Sequence, residues 1–349
     1  MSVRAAWVLV VLAACGARTG LDLSPAGNAD GGVLACTSGP ITLAAAQPAA
    51  MFVLDRSGSM DDVFSDGQSR WQVLTAGLAG TLPQVDSSLE IGALLFPSRG
   101  AGGSPHDPMT CSVPSTVDLG LATGHAGALV TLLQSTTPGG GTPTADAIDV
   151  AAGALLATRA ATTARALVLA TDGAPNCDTS LDPATCTCAD TRGCGGQPGN
   201  CLDDTRTVSR IAGYAAQGVP TYVIGIASDG DSVFTDVLDA MAVAGGTPLS
   251  GSAHAYYAAD SASDLDAALA AIRDQVGRCT YLTTSVPNAG GSITVSLGGV
   301  VLPDDPTGAT GWTWTSESNG QIVLAAGPCA QATAAGAPAP VAYVECAEM

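Results

Sequence analysis

The stretch with the clearest chemistry is Met51-Phe-Val-Leu-Asp55-Arg-Ser57-Gly-Ser59-Met60. Four apolar residues lead into Asp-x-Ser-x-Ser, where one carboxylate and two hydroxyls alternate over five positions. If the loop curls, all three oxygens face a common point. An oxygen-only set of this kind suits a hard cation, Mg²⁺ first, with Mn²⁺ or Ca²⁺ also compatible, rather than zinc. Ser/Gly loops after strands are common, so the reading depends on ligands arriving from elsewhere in the chain.

Those ligands need elements to carry them. Met51–Leu54 and Leu89–Phe96 are apolar without a period, as strands buried on both faces are. Ser69-Arg-Trp-Gln72 is a capping box that opens a helix running to about Gly80. Thr116–Leu119 is expected as an edge strand and 127–133 as a helix. A tight Gly139-Gly-Gly-Thr-Pro-Thr144 loop precedes a helix over Ala145–Arg159, whose Ile148, Ala151, Ala152, Leu155 and Leu156 share one face. Ala166–Ala170 is a strand ending in Thr171-Asp172-Gly173. Further helices are expected over 204–217, 232–243 and from Ser263 to Gly277, with strands at Thr221–Ala227 and His254–Tyr257. Strands alternating with helices imply right-handed crossovers and a doubly wound, mostly parallel α/β sheet of Rossmann-like type. Ligands of such sheets bind outside the carboxyl ends of the strands, where both Asp55–Ser59 and Asp172 lie.

Three loops thus offer oxygens: Asp55, Ser57 and Ser59, then Thr142, then Asp172. Their order and strand context resemble the metal-ion-dependent adhesion site (MIDAS) of von Willebrand factor type A (vWA) domains. The resemblance covers about 49–278. It implies a vWA fold and a divalent cation held by these five residues. It also implies a protein ligand whose Asp or Glu completes the coordination, and no organic cofactor. Two carboxylates and three hydroxyls leave a cation position for water or such a ligand. Arg56, beside the loop, reads either as an aid to the ion or as a solvated charge. In this family the last helix can shift on ligand binding, and a bridge from Cys279 to Cys36 would restrain it.

Composition narrows the partners. The chain has 31 acidic residues against 12 basic ones, all Arg, for a net charge of −19. That excludes nucleic acid and anionic membrane surfaces as expected partners. With screening over only ~8 Å at physiological salt, a bound cation would turn a repulsive surface into a local acceptor. Only His106, His125 and His254 are present, and no nucleophile elbow, phosphate loop or paired His motif occurs, so no enzyme activity is expected. The alternatives are an envelope subunit with a purely stabilising metal and, further off, a metal-dependent hydrolase.

Residues 1–14 combine Arg4 with a ten-residue apolar run, too short to span a bilayer. Leu12-Ala13-Ala14-Cys15 resembles the lipobox of bacterial lipoproteins, implying lipidation of Cys15 and firm anchoring in the cell envelope, in the outer membrane by that family's sorting rule. Residues 15–48, rich in Gly, Ala, Pro and Asp, read as a flexible tether. The eleven cysteines less Cys15 leave ten, which fits disulfides in an oxidising compartment. Cys177, Cys186, Cys188, Cys194 and Cys201 crowd a 176–203 insertion. Being odd in number they need an outside partner, for which Cys111 is chosen. Cys36, Cys279, Cys329 and Cys346 remain for two bridges of open connectivity. Zinc is disfavoured in the insertion because no His lies within it. From Cys279 the pattern turns to period two at Ser292–Leu297, Trp312–Thr315, Gln321–Leu324 and Val341–Val344, so 279–349 is expected as a small all-β module stapled by disulfides.

Overall fold

Seven-residue strands built on apolar runs of five or six form the middle of the main sheet, because parallel strands covered on both faces need no polar side. The structure is a computed structural model and describes residues 34–46, 48–64, 67–98, 108–159, 164–189, 193–226, 232–249, 251–334 and 336–348. In chain order, β1 (Gly39–Thr42) and β2 (Ala44–Ala45) precede β3 (Ala49–Asp55), α1 (Arg70–Thr81), β4 (Glu90–Phe96) and β5 (Leu119–Ala122). Then come α2 (Ala126–Gln134), α3 (Thr144–Thr158), β6 (Arg165–Thr171), α4 (Asp204–Ala215), β7 (Thr221–Ile226), α5 (Ser232–Ala244), β8 (Tyr257–Ala259) and α6 (Ala262–Arg278). The sheet runs β5-β4-β3-β6-β7-β8, parallel throughout except for β5. Every residue of β3, β6 and β7 is buried.

Helices cover both faces. Leu74 and Leu78 of α1, Leu129 of α2, and Leu265 and Leu269 of α6 pack on one; Ile148 and Leu155 of α3, Ile211 of α4, and Leu238 and Met241 of α5 pack on the other. The capping box of α1 forms as expected, with Ser69 Oγ accepting from Gln72 N at 3.2 Å and Gln72 Oε1 accepting from Ser69 N at 3.0 Å. Gly77 lets α1 and α6 approach, since a Cβ there would stand 2.9 Å from Asp266 Oδ1 and 3.0 Å from Leu269 Cδ1. The crossover from β3 leads outward to β4 and the one from β6 leads the other way to β7, while β3 and β6 are neighbours. Their carboxyl ends therefore flank the switch point of the sheet, the usual crevice for a ligand.

The remaining strands build a second unit: β9 (Thr280–Leu282), β10 (Ser292–Leu297), β11 (Val300–Leu302), β12 (Trp312–Ser316), β13 (Gln321–Leu324) and β14 (Val341–Glu345), with the short helix α7 (Ala326–Ala332) before β14. They form two antiparallel sheets, β1-β14-β10-β11 and β12-β13-β9-β2, around Tyr281, Val295, Trp312, Ile322 and Leu324.

Four expectations change. Residues from 39 are not tether: β1 pairs with β14 and β2 with β9, so the chain threads the small module before entering the main sheet. Cys36 bonds Cys346, and Cys279 bonds Cys329, so no bridge ties α6 to Cys36. The edge strands shift, to Leu119–Ala122 and Tyr257–Ala259, because each lies where its partner offers a ladder rather than where its own pattern is strongest. The small module also carries α7 among its strands. Cys15, His106 and the 1–14 segment lie outside the described residues. Among the described residues no helix is long and apolar enough to cross a membrane.

Candidate metal centre

Strand β3 delivers Asp55 to its carboxyl end fully buried. Asp55 Oδ1 accepts from Ser57 N at 2.7 Å, a local bond that curls the loop. Its Oδ2 accepts from Thr171 Oγ1 at 2.6 Å, which ties the end of β3 to the end of β6. Ser57 Oγ and Ser59 Oγ lie 3.1 Å apart, and Ser59 Oγ donates to Asp172 Oδ1 at 2.8 Å. Hydrogen bonds thus run from Asp55 through Ser57 and Ser59 to Asp172 across the switch point.

Thr142 comes in on the second loop. Gly58 N donates to Gly140 O at 3.0 Å and Gly139 N to Arg56 O at 2.7 Å, stitching the first and second loops together. Thr142 is buried, its N–H donates to Asn176 Oδ1 at 2.8 Å, and its carbonyl accepts from Asn176 N at 2.9 Å. Behind it the Cys111–Cys177 bridge packs on Gly141, where a Cβ would meet Cys177 Sγ at 2.9 Å and Asn176 Oδ1 at 3.1 Å. Cys177 itself holds φ at 80°, a conformation that favours glycine.

Two acids in one buried crevice repel. Burial first, then the Asp172 charge, pushes the Asp55 carboxyl up to about 7, against the opposing pull of its Thr171 and Ser57 bonds. Burial also raises Asp172, opposed chiefly by Arg70, whose Nη1 donates to Asp172 Oδ2 at 2.6 Å. A donor set of two buried carboxylates and three hydroxyls, short of positive charge, fits a hard divalent cation. Thr171, Asn176 and Arg70 were not singled out in the sequence. Thr171 has a signal in its place beside Asp172. Arg70 and Asn176 have none, because their partners lie 102 and 34 positions away.

Arg56 takes neither expected role. It is 3% exposed, and its guanidinium donates to Pro97 O at 3.1 Å, Ser98 O at 2.6 Å and Thr137 O at 3.0 Å, so it clamps loops behind the site.

The insertion after Asp172 is held by Cys111–Cys177, Cys186–Cys201 and Cys188–Cys194. Arg206 of α4 fastens it to α3, pairing with Asp203 at 2.6 Å, Asp146 at 2.8 Å and Asp178 at 3.7 Å. Of the remaining histidines, His125 Nδ1 lies 2.9 Å from Gly120 O and His254 Nδ1 3.4 Å from Asp239 Oδ2, both on elements other than the three site loops.

No protein-family model and no curated protein sequence matches the chain. Solved structures with similar architecture include the pilus adhesin SpaC from Lactobacillus rhamnosus GG, at 15% identity and a TM-score of 0.48, covering 85% of this chain and 39% of that one. The vWF domain of the type V pili tip protein Mfa5 from Porphyromonas gingivalis aligns at 12% identity and a TM-score of 0.45, over 66% of this chain and 94% of that one. The PilB minor pilin from Streptococcus sanguinis aligns at 16% identity and a TM-score of 0.43, over 66% of this chain and 61% of that one. This chain therefore spans about three fifths of the pilin's length and about two fifths of the adhesin's.

Proposed function

We propose that this protein is a vWA-type binding protein of the bacterial cell envelope, anchored through a lipidated Cys15. Its Asp55, Ser57, Ser59, Thr142 and Asp172 hold a divalent cation, Mg²⁺ by preference, that is completed by an Asp or Glu of a protein partner. The observation that carries this reading is the hydrogen-bonded series from Asp55 through Ser57 and Ser59 to Asp172 at the switch point, with Ser59 Oγ 2.8 Å from Asp172 Oδ1. When bound, the cation supplies an electron-poor coordination position, since neutral hydroxyls donate little charge to it. The chain's own groups do the rest: Asn176 fixes the Thr142 backbone, and Thr171 orients Asp55. The disulfide-held insertion borders the site and is well placed to contact the partner.

Calorimetric titration of chelator-stripped protein with Mg²⁺, Mn²⁺ and Ca²⁺, beside Thr142→Ala and Asp172→Ala, tests the site. Binding by the native chain that both variants weaken supports it; no binding of any of the three ions overturns it. Capture of envelope proteins with and without EDTA tests the role. Chelator-sensitive capture supports adhesion, whereas chelator-sensitive melting without capture favours a purely stabilising metal.

A further inference from the structure

Arg70 occupies a place that its own interactions do not justify. It is the first residue of α1, so its positive charge sits at the positive end of the helix dipole, where cations are disfavoured. Its side chain is only 19% exposed, and its Nε is buried without a hydrogen-bond partner. An unmet buried donor is itself unfavourable. What offsets these penalties is Asp172. Arg70 Nη1 donates to Asp172 Oδ2 at 2.6 Å and, more weakly, to Ser59 O at 3.4 Å, while the Asp172 side chain is fully buried. Asp62, the other acid within reach, is 3.9 Å away with its side chain 69% exposed, and adds little. The guanidinium is therefore held by the crevice, and the crevice contains two carboxylates, Asp55 and Asp172.

We propose that Arg70 is a resident counter-cation of the metal centre: it neutralises Asp172 when no metal is bound, and it holds the metal affinity down, because guanidinium and divalent ion draw on the same carboxylate with the same sign of charge. This inference rests on the metal reading above and deepens it. An arginine keeps its charge inside a protein and cannot shed it to make room. Loading the site therefore brings like charges together or loosens the Arg70–Asp172 pair. Either way the affinity of the native chain is set below what its oxygen ligands alone would give.

The test uses the full chain with Arg70→Met, which keeps the apolar stem, and Arg70→Lys, which keeps the charge. Each is stripped with EDTA and titrated with Mn²⁺ and Mg²⁺ by calorimetry, and melting is followed with and without Mn²⁺. Removing a unit charge that shares the Asp172 carboxylate with a divalent cation would, even at an effective dielectric of about 20, change affinity by about tenfold or more. R70M is expected to bind Mn²⁺ at least about tenfold more tightly than the native chain, to melt lower without metal, and to gain more on metal addition. R70K is expected to stay within about threefold of native. If the native chain binds metal and R70M binds equally or more weakly, the competition is overturned while the metal site stands. If neither binds, both readings fall. If R70M binds and the native chain does not, the inference holds and native metal use falls. An R70M chain that folds only with Mn²⁺ supports the proposal, and one unfolded even with Mn²⁺ overturns it.

Discussion

The buried acid pair makes the stability of the chelated protein depend on pH in an unusual direction. Asp55 ionises near 3.8 in an unfolded chain and near 7 in the folded one. Below pH 4 both states hold the proton and the burial of charge costs nothing. Between about pH 4 and 7 only the folded state keeps the proton, so stability falls as pH rises through this window. The slope is about 1.4 kcal/mol per pH unit, which sums to about 4 kcal/mol once Asp55 is ionised. Asp172, also raised by burial, adds in the same direction. The perturbation is Asp55→Asn, which removes the charge but cannot accept from both Ser57 N and the Thr171 hydroxyl as the carboxylate does. Asn matches protonated Asp55, each accepting through one atom and donating through the other, so that loss is felt only where the native acid is ionised. In EDTA, urea denaturation from pH 4.5 to 8 should show the two chains close at the acid end and the variant gaining on the native chain by several kcal/mol at the other. Mg²⁺ should stabilise the native chain at pH 7.5 and do little at pH 4.5, where it must displace a proton. Parallel profiles for the two proteins in EDTA would refute the reasoning.

Three further outcomes are expected. Gly141→Ala forces a Cβ against Cys177 Sγ and Asn176 Oδ1, so it should destabilise by about 1–3 kcal/mol and weaken metal binding in the same titration. Thr171→Val removes the 2.6 Å donor to Asp55; about 2 kcal/mol should be lost in urea at pH 7.5 and clearly less at pH 4.5, where the acid is protonated. Cys36→Ser opens the Cys36–Cys346 bridge, costing about 2–5 kcal/mol by thermal melting while leaving Mn²⁺ affinity unchanged.

The sheet centre was legible because β3, β4 and β6 are apolar runs of a kind that only a two-sided burial explains. The α1 start was legible because a capping box is a purely local device. Edge strands were less so: β5 and β8 have mixed burial and owe their position to a neighbour's ladder, which local pattern does not record. β1 and β2 were missed for the same reason, their pairing partners lying more than 200 residues further along the chain. At the site, type and spacing marked Asp55, Ser57, Ser59 and Asp172, which the structure brings together. Arg56 and Arg70 did not, since an arginine's sequence context says nothing of whether its long stem points into solvent or toward buried carbonyls and carboxylates.

The two units meet at the opposite end of the main sheet from the candidate metal centre. β2 precedes β3, so the chain enters the amino end of the central strand directly from the small module. At the other boundary α6 runs back along the sheet into Cys279 and β9, and Ala46 N donates to Thr280 O at 3.0 Å where the two crossings meet. Asp55 and Thr171 stand at the carboxyl ends of β3 and β6, a full strand length away. The disulfides divide in the same way. Cys111–Cys177 supports the second loop and Cys186–Cys201 and Cys188–Cys194 the insertion, whereas Cys36–Cys346 and Cys279–Cys329 close the module. Whatever precedes Cys36 therefore joins at the module end. Were Cys15 lipidated as proposed, the module would face the membrane and the Asp55–Asp172 crevice would face away from it.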